Sequence, residues 1–560
     1  MRGEGLQQCT VFSCLPRGEW ATKDHLLRKL RPMMDAGLCR IWKITLFGFL
    51  LYTFSTLGLR ADVRLPSLIS DGMVLQQGTK VNIWGTADPG ERVTVTFNNQ
   101  HVAGIADGEG RWKVVLGPLS AGGPYKMTIA GKNTLTLLDV LVGEVWICSG
   151  QSNMEMYVAP SEVFGWKMPG VDNYQHELSD ADYPVMHLFT VGKTWASKPQ
   201  RDVKGYWVAA RPETVAEFSA VGYFFGRQLL KTLNVPIGII DSSRGASPAE
   251  AWTSRETLES DPNFASILAK EKQLVASYPK ALEDFEQQFA KWKEVSQKAE
   301  MAGELAPESP AIPAHPTTNS SRPAYLFNGM IAPLTSYAIK GVIWYQGESN
   351  ADRPVQYRKL FPAMIRDWRQ AWGNGDFPFL FVQLASWGAV PPTLNFPELR
   401  EAQLMTLSVP KTAMAVTIDI GDAIDVHAKN KQELGYRLAL AAQAIAYGRE
   451  VAYSGPLYAS KAIEGGKIRL RFEHVYGGLV TKPWAAPTVY SRTPFGFEIA
   501  GEDRKFVPAQ ATVEGKDTVV VWSGDVAHPV AVRYAWGMNP ICNLYNQVGL
   551  PASPFRTEEW

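Results

Sequence analysis

The chain has 560 residues, more than one hydrophobic core accommodates, and 46% of them are hydrophobic and 20% charged, as in an ordinary globular protein. Its 56 basic and 55 acidic residues leave a formal net charge of +1, so overall charge gives no reason to expect nucleic acid as a partner. We therefore expect several domains and a ligand site that depends on local chemistry.

The first part of the chain has the features of an export signal. Residues 44–57 (ITLFGFLLYTFSTL) are uncharged, largely apolar and too few for a comfortable membrane span. Because the stretch before them is long for a signal peptide, Met33 or Met34 is a candidate for the true start. We predict that residues 1–61 are an N-terminal extension with a signal peptide and that the protein is secreted or periplasmic. A retained signal anchor is the alternative.

The rest of the chain divides by its hydrophobic patterns. Residues 62–141 contain short alternating runs between turn residues, which predict an N-terminal β-sandwich. Residues 142–450 alternate buried-strand runs with helical patterns and predict an α/β domain with a parallel sheet, interrupted by a helical insertion at about 253–323. Short alternating runs return at 451–560 and predict a C-terminal β domain. The strand runs of the α/β domain are 145–148, 185–189, 236–240, 342–344, 379–384 and 413–418, and its clearest helical patterns are 220–233, 356–371 and 431–446.

Cysteine and histidine usage indicates neither a disulfide framework nor a metal site. Beyond the signal region only Cys148 and Cys542 remain, and Cys148 lies in an apolar run typical of a buried thiol. A bond between the two is left open. No CxxC or HExxH spacing occurs, so we expect no metal and no organic cofactor.

Polar clusters follow four of the predicted strands, and one of them contains a candidate nucleophile. Ser152 comes two residues after Gly150, at the end of the run 145–148. A serine hydroxyl attacks a carbonyl only when a base takes its proton and N–H groups stabilise the oxyanion. Because the carboxyl ends of parallel strands gather at one edge of a sheet, the other three clusters are candidates for these groups.

Those three clusters supply the remaining roles. His427 follows the run 413–418 and three aspartates and is the candidate base, although an ordinary loop histidine is an equally good interpretation. Gln346 and Asn350 carry amides that can donate to an oxyanion, and Gly245 allows close approach of backbone N–H groups.

Together these segments resemble the motifs of a known family. Residues 150–154 (GQSNM), 344–350 (WYQGESN) and 425–431 (DVHAKNK) are similar to motifs of the sialate O-acetylesterase family, and the similarity runs from about residue 62 to residue 556. This family belongs to the SGNH hydrolases. The resemblance implies an α/β fold, with a flavodoxin-like SGNH hydrolase domain built on a parallel sheet and flanked by β-sandwich domains.

The resemblance also implies a role for each residue. Ser152 would be the nucleophile and His427 the general base. The oxyanion hole would consist of the backbone N–H groups of Ser152 and Gly245 and of a side-chain amide, with Asn350 as the first choice and Gln346 as its rival.

The acid behind His427 follows the family pattern less directly. SGNH hydrolases usually place an aspartate three residues before the histidine, where this chain has Ile424. Asp425, two residues before, resembles the pattern of this family and is the predicted acid. Asp422 is the alternative, and a backbone carbonyl could also orient the imidazole.

Arg244 and Gln151 are the predicted substrate contacts. An arginine can bind the carboxylate of a sialic acid, but Arg244 or Arg400 could instead pair with Glu348. Because the charge of Glu348 would oppose a developing oxyanion, we expect this carboxylate to have a structural role.

These assignments predict a secreted serine carboxylic-ester hydrolase that removes O-acetyl groups from sialic acid through an acyl-enzyme. Its partner would be an O-acetylated sugar or glycan, with no nucleic acid, and no membrane except through a signal anchor; the oligomeric state is not predicted. Two alternatives stay open, because a fold does not determine a substrate: an esterase of acetylated xylan or another plant polysaccharide, and a carbohydrate-binding protein without activity.

Overall fold

A single strand of 17 residues, Thr134–Gly150, pairs with both the antiparallel N-terminal strands and the central parallel strands of this protein. The structure is a computed structural model that describes residues 62–163, 166–389, 391–482 and 493–560. The predicted signal segment, residues 1–61, lies outside them. From Ala61 to Trp560 the chain forms one compact unit. Within the described ranges, no helix is both long enough and apolar enough to cross a membrane.

The N-terminal strands follow the predicted alternation of buried and exposed residues. They are β1 Val74–Gln76, β2 Val81–Thr86, β3 Arg92–Phe97, β4 Gln100–Ile105, β5 Arg111–Leu116, β6 Gly122–Ala130 and β7 Thr134–Gly150. In β3 and β5 every second residue is buried, because residues two apart share one face of a strand. β3 pairs with β4 and β6, β6 pairs with the first half of β7, and β2 and β5 form a separate antiparallel pair.

β7 joins these strands to the parallel sheet without a break. Its residues 144–150 pair in parallel with Ile237–Ser243, and residues 141–143 pair in parallel with β1. The predicted domain boundary at 141/142 therefore falls inside a continuous strand. The physical reason is that residues 140–150 are buried on both faces, so the strand continues where the pattern changes from alternating to uniformly buried.

The runs predicted for the α/β domain all form strands. The strands in this part of the chain are β8 Ser161–Val163, β9 Trp166–Met168, β10 Tyr183–Thr190, β11 Trp207–Ala210, β12 Ile237–Ser243, β13 Gly341–Tyr345, β14 Phe379–Val382 and β15 Thr412–Ala415. The order across the sheet is β11-β10-β12-β7-β13-β14-β15, and every pair is parallel except the antiparallel edge pair of β10 and β11. The result is a mixed sheet in which the parallel strands lie at the centre.

Helices pack on both faces of this sheet. The helices of this part of the chain are α1 Ser152–Glu155, α2 Tyr174–Ser179, α3 Pro212–Val215, α4 Ala220–Leu233, α5 Arg255–Ser260, α6 Ala265–Ala302, α7 Pro354–Trp372, α8 Phe396–Met405 and α9 Lys431–Ile445. A Cβ atom on Gly222 of α4 would lie 2.7 Å from the sulfur of Cys148, so α4 packs tightly on the face that carries Cys148. Trp368 of α7 packs edge-on against Trp344, with ring centroids 5.7 Å apart. Trp344 pairs with Ser149, the next residue of β7, and so faces the opposite side.

The predicted insertion is helical and mostly exposed. α6 is 38 residues long and buries only Ile267, Glu271 and Ala299, and an irregular segment leads back to β13. The C-terminal region consists of short strands in separate sheets, as its alternating pattern predicts. Cys148 and Cys542 are both buried and both free. The C-terminal strands are β16 Leu457–Glu464, β17 Lys467–Glu473, β18 Leu479–Thr481, β19 Phe497–Gly501, β20 Phe506–Pro508, β21 Gln510–Glu514, β22 Thr518–Trp522, β23 Pro529–Tyr534, β24 Leu544–Asn546 and β25 Phe555–Arg556.

Candidate active site

Three neighbouring strands of the parallel sheet end side by side. Gly150, the last residue of β7, pairs with Ser243 of β12 on one side and with Tyr345 of β13 on the other. The chain approaches so closely here that a Cβ atom on Gly150 would lie 2.1 Å from the carbonyl oxygen of Tyr345, which only glycine avoids. The three clusters that follow these strands therefore meet at one edge of the sheet.

Ser152 lies at this edge with its polar groups unengaged. It begins the short helix α1, and both its side-chain hydroxyl and its backbone N–H have no hydrogen-bond partner in the described part of the chain. The side chain is partly exposed. The arrangement presents one accessible hydroxyl beside one open N–H donor.

Asn153 links the serine segment to the other clusters. Its side-chain amide donates to the backbone carbonyl of Val426 at 3.0 Å and to a carboxylate oxygen of Glu348 at 2.7 Å. Its side-chain oxygen accepts from the ammonium of Lys431 at 2.6 Å. Asn153 is almost wholly buried. The neighbour of Ser152 thus contacts the neighbour of His427 directly.

His427 faces Asp425. The Nδ1 atom of His427 lies 3.2 Å from Oδ1 of Asp425, and the backbone N–H of His427 donates to the same oxygen at 2.8 Å. Asp422 does not contact the imidazole in this arrangement; its carboxylate accepts from the backbone N–H groups of Ile424 and Asp425 and caps the loop. The geometry favours Asp425 as the residue that orients the histidine.

The second imidazole nitrogen of His427 is available. Nε2 is buried and has no hydrogen-bond partner within the described ranges. Burial lowers the pKa of His427, the charge of Lys431 lowers it further, and Asp425 opposes both effects. The imidazole is therefore held in the neutral form that a general base requires at neutral pH.

Gly245 lies beside Ser152, but its N–H is engaged. A Cβ atom on Gly245 would lie 3.5 Å from Cβ of Ser152. The backbone N–H of Gly245 donates to the carboxylate of Glu155, whose other oxygen lies 3.2 Å from the ammonium of Lys193. The predicted oxyanion donor is thus near the serine and bound to a buried carboxylate.

The amides of Gln346 and Asn350 differ in how many of their hydrogens already have an acceptor. Gln346 is fully buried, and its amide nitrogen donates to the carbonyl of Ser247 and to the side-chain oxygen of Asn350, which uses both hydrogens. Gln346 could donate to an oxyanion only by releasing one of these acceptors, so the structure favours Asn350 over Gln346 as the side-chain donor. Asn350 donates one amide hydrogen to Glu250 at 3.0 Å, and its other amide hydrogen has no partner among the described residues.

The predicted substrate contacts and ion pairs also have specific partners. The side-chain oxygen of Gln151 accepts from the N–H groups of Gly347 and Ser349, while its amide nitrogen has no partner among the described residues. Arg244 donates to the carbonyl of Gly245 at 2.7 Å and is partly exposed.

The alternative pairing of Glu348 with Arg400 is not formed. Arg400 is fully buried and donates to four backbone carbonyls, of Leu384, Ala385, Gly537 and Met538. It therefore holds loops together and cannot reach a substrate. One carboxylate oxygen of Glu348 accepts from the amide of Asn153 rather than from an arginine, and the other has no hydrogen-bond partner among the described residues. Burial raises the pKa of Glu348, which weakens the charge that would oppose an oxyanion.

Sequence reasoning missed a buried ionic cluster behind the site. Besides Glu155 and Lys193 it contains Asp241 on β12, a buried carboxylate whose pKa burial raises to about 6. Lys431, the contact of Asn153, was also missed; burial lowers its pKa to about 7. In the sequence these residues are visible only as charged residues inside or beside short polar motifs. The sequence does not show which residue each of them contacts.

Comparisons of the sequence and the fold with those of known proteins indicate the class of protein to which the chain belongs. A family model described as carbohydrate esterase, sialic acid-specific acetylesterase, matches residues 318–444, which include Asn350 and His427 but not Ser152. The crystal structure of a carbohydrate acetylesterase from Xanthomonas citri is 36% identical to this chain, covers 89% of it and 100% of its own length, and superposes with a TM-score of 0.73. The fold is thus close to that of a carbohydrate esterase.

Relatives that align with most of the chain identify its family. The sialate O-acetylesterase of Mus musculus is 32% identical over 91% of this chain and 97% of its own, and that of Homo sapiens is 31% identical over 88% and 92%. The chain belongs to the sialate O-acetylesterase family, as the resemblance of its motifs implied. It is a carboxylic-ester hydrolase.

Proposed function

We propose that this protein is exported and removes O-acetyl groups from sialic acid through a serine acyl-enzyme. The observation that carries the proposal is the contact of Asn153 with Val426, which joins the segments of Ser152 and His427 in a chain similar to sialate O-acetylesterases over about nine-tenths of its length. The apolar run at 44–57 supports export.

The proposed reaction has two steps. Nε2 of His427 takes the proton of Ser152 as the hydroxyl oxygen attacks the acetyl carbonyl; the ester C–O bond then breaks, and the sugar oxygen leaves with that proton. In the second step water attacks the acetyl-enzyme, His427 accepts a proton from this water, and acetate leaves as Ser152 regains its hydrogen. Asp425 keeps Nδ1 of His427 protonated throughout. The absence of a partner on the Ser152 hydroxyl and on His427 Nε2, within the described residues, leaves both atoms available.

We assign the oxyanion first to the backbone N–H of Ser152, which has no other partner in the described part of the chain. One amide hydrogen of Asn350 has no partner within the described ranges, and Asn350 stays the proposed side-chain donor. The N–H of Gly245 contributes only if the oxyanion displaces Glu155 from it. Arg244 and the amide nitrogen of Gln151 are the proposed contacts to the sugar.

The finer classification of the fold belongs to the same proposal. The strand order β12-β7-β13-β14-β15 corresponds to the order 2-1-3-4-5 of flavodoxin-like sheets, with β10 and β11 added at one edge. In such sheets ligands bind where the strand order reverses, which here is between β7 and β13, just before Ser152 and Gln346. This order supports an SGNH-type catalytic domain at residues 142–450, and we propose the regions 62–141 and 451–560 as flanking β-sandwich domains.

The substrate can be tested by acetate release from a panel. We expect a higher kcat/KM for O-acetylated N-acetylneuraminic acid than for acetylated xylan. The opposite order would make the protein a polysaccharide acetylesterase. Glycan binding without acetate release from any substrate would favour the inactive carbohydrate-binding alternative.

The pH dependence of kcat/KM tests the electrostatics around His427. Because the pKa of His427 is lowered, the acid limb should lie below the ordinary imidazole value of about 6.5. Lys431→Gln keeps a donor to Asn153 but removes a charge that is present below about pH 7, so the pKa of His427 should rise and the acid limb should move to higher pH.

Lys429→Gln is the matched control for this experiment, because it removes the same charge from an exposed position on the same segment. The acid limb of this variant should stay in place. Equal displacement in both variants, or displacement of the Lys431→Gln limb to lower pH, would contradict the assignment of His427 as base.

A further inference from the structure

A concave site is formed by residues outside the serine and histidine segments. A cavity of about 730 Å³ is bounded by strands β2 and β5, by the chain around Arg64, and by residues 200–202 and 332–336. It contains none of the residues to which the proposed reaction assigns a role. Its volume is that of a small-molecule site.

The strand register places an aromatic ring and three cations on one face of this cavity. Trp84 pairs directly with Lys113, and Thr86, two residues later and on the same face, pairs with both Arg111 and Arg64. Directly opposed residues of antiparallel strands have their side chains on the same face, as do residues two apart on one strand. Trp84 is partly exposed, and the three basic residues are exposed.

Two of these cations have no acidic partner. Arg111 forms ion pairs with Asp107 at 2.8 Å and with Glu109 at 3.0 Å. Arg64 and Lys113, in contrast, form no side-chain hydrogen bond or ion pair with any described residue. The cavity is also lined by the carboxylates of Asp107, which pairs with Arg111, and Asp202, which accepts from the backbone N–H groups of Ser67 and Val203. The face therefore presents two positive charges without an acidic partner among the described residues, beside one indole.

The opposite wall is fixed in place. The side chain of Asn82, on the same face of β2, donates to the carbonyl of Ser336 at 3.0 Å. The ring of Trp84 packs edge-on against Tyr337, with centroids 6.2 Å apart. The indole is thus held in one orientation and does not have to be ordered when a ligand binds.

We propose that this cavity binds an acidic sugar unit as a second, non-catalytic glycan site. The C–H face of a sugar ring packs on the indole of Trp84, and its carboxylate is bound by the guanidinium of Arg64 and the ammonium of Lys113. The side chains of Thr86 and Gln200, which also line the cavity, supply partners for hydroxyl groups. The site holds a glycan on the enzyme independently of the ester that is cleaved.

The test is direct binding of methyl β-glucuronide, with methyl β-glucoside as a ligand that differs only in lacking the carboxylate. Isothermal titration of the intact protein should detect binding of the glucuronide. The protein should bind the glucoside at least about tenfold more weakly. Arg64→Glu and Lys113→Glu should each lower the affinity for the glucuronide by about tenfold or more. Lys126→Glu, an exposed lysine on β6 outside the cavity, is the control for the same change of net charge and should bind like the original protein.

Each alternative result is decisive. No binding of the glucuronide, equal binding of both sugars, unchanged affinity in the two cavity variants, or equal loss in Lys126→Glu would overturn the proposal. Thermal denaturation of each variant checks that it folds. Because the readout is binding of an unacetylated sugar that is not the proposed product, failure here leaves the proposed esterase activity untouched, and loss of esterase activity would not affect this site.

Discussion

Replacing Ser152 by alanine should lower acetate release from 4-nitrophenyl acetate by about 10⁶-fold, the scale on which loss of a serine nucleophile acts in serine hydrolases. The reason is that no acetyl-enzyme can form without the hydroxyl oxygen. The fold should persist, because this hydroxyl makes no hydrogen bond within the described ranges and its loss creates no buried unpaired group.

Ser349→Ala is the matched control for this variant. Ser349 lies on the neighbouring segment after β13, is also partly exposed, and differs from Ser152 in having no role for its hydroxyl in the proposed reaction. Its rate should stay within a few-fold of the original. Turnover by Ser152→Ala at the original rate would remove Ser152 from the mechanism.

The second large effect is expected at Asp425. Asp425→Asn should lower kcat by about 10⁴-fold, because a neutral amide can hold the wrong tautomer of His427 and cannot stabilise the imidazolium that forms in each step. Asp422→Asn should have a much smaller effect, since the asparagine oxygen can still accept from the N–H groups of Ile424 and Asp425.

Comparing the two variants ranks the acids without further assumptions. Circular dichroism and the thermal midpoint of each variant show whether the loop still folds. If Asp422→Asn carried the larger loss in kcat with an intact fold, Asp422 would be the orienting acid. Equal small losses would instead favour a backbone carbonyl as the partner of His427.

Much of the fold follows from local pattern. The helical periodicity at residues 220–233 has the same bounds as α4, and the strand runs of the α/β domain all lie in or overlap strands of the parallel sheet. The predicted boundary at 141/142 lies inside β7, because a strand that passes from a half-exposed to a fully buried environment changes its hydrophobic pattern without ending. The hydrophobic pattern of a strand depends on whether its two faces are buried, and β7 is partly exposed in its first residues and buried from residue 140 to residue 150.

The site is predictable in outline for a related reason. Ser152, Gly245 and Gln346 come together because their strands are neighbours and parallel, which the sequence pattern implies once the sheet is recognised. Side-chain partners are different. Lys431 bonds to Asn153 across 278 positions of sequence, and nothing in either segment specifies that contact. The acceptors of the two amide hydrogens of Gln346 are also not predictable from the sequence, because one of them is the carbonyl of Ser247 in the turn after β12.

The most direct measurement is mass spectrometry of the protein quenched in acid during turnover of O-acetylated N-acetylneuraminic acid. An added acetyl group is expected on the peptide that contains Ser152 in the original protein, and none is expected on this peptide in Ser152→Ala. The measurement is made under conditions where hydrolysis of the acetyl-enzyme limits the rate. Rapid acetate release with no acetyl group on that peptide would contradict the serine mechanism, and so would an acetyl group on another residue.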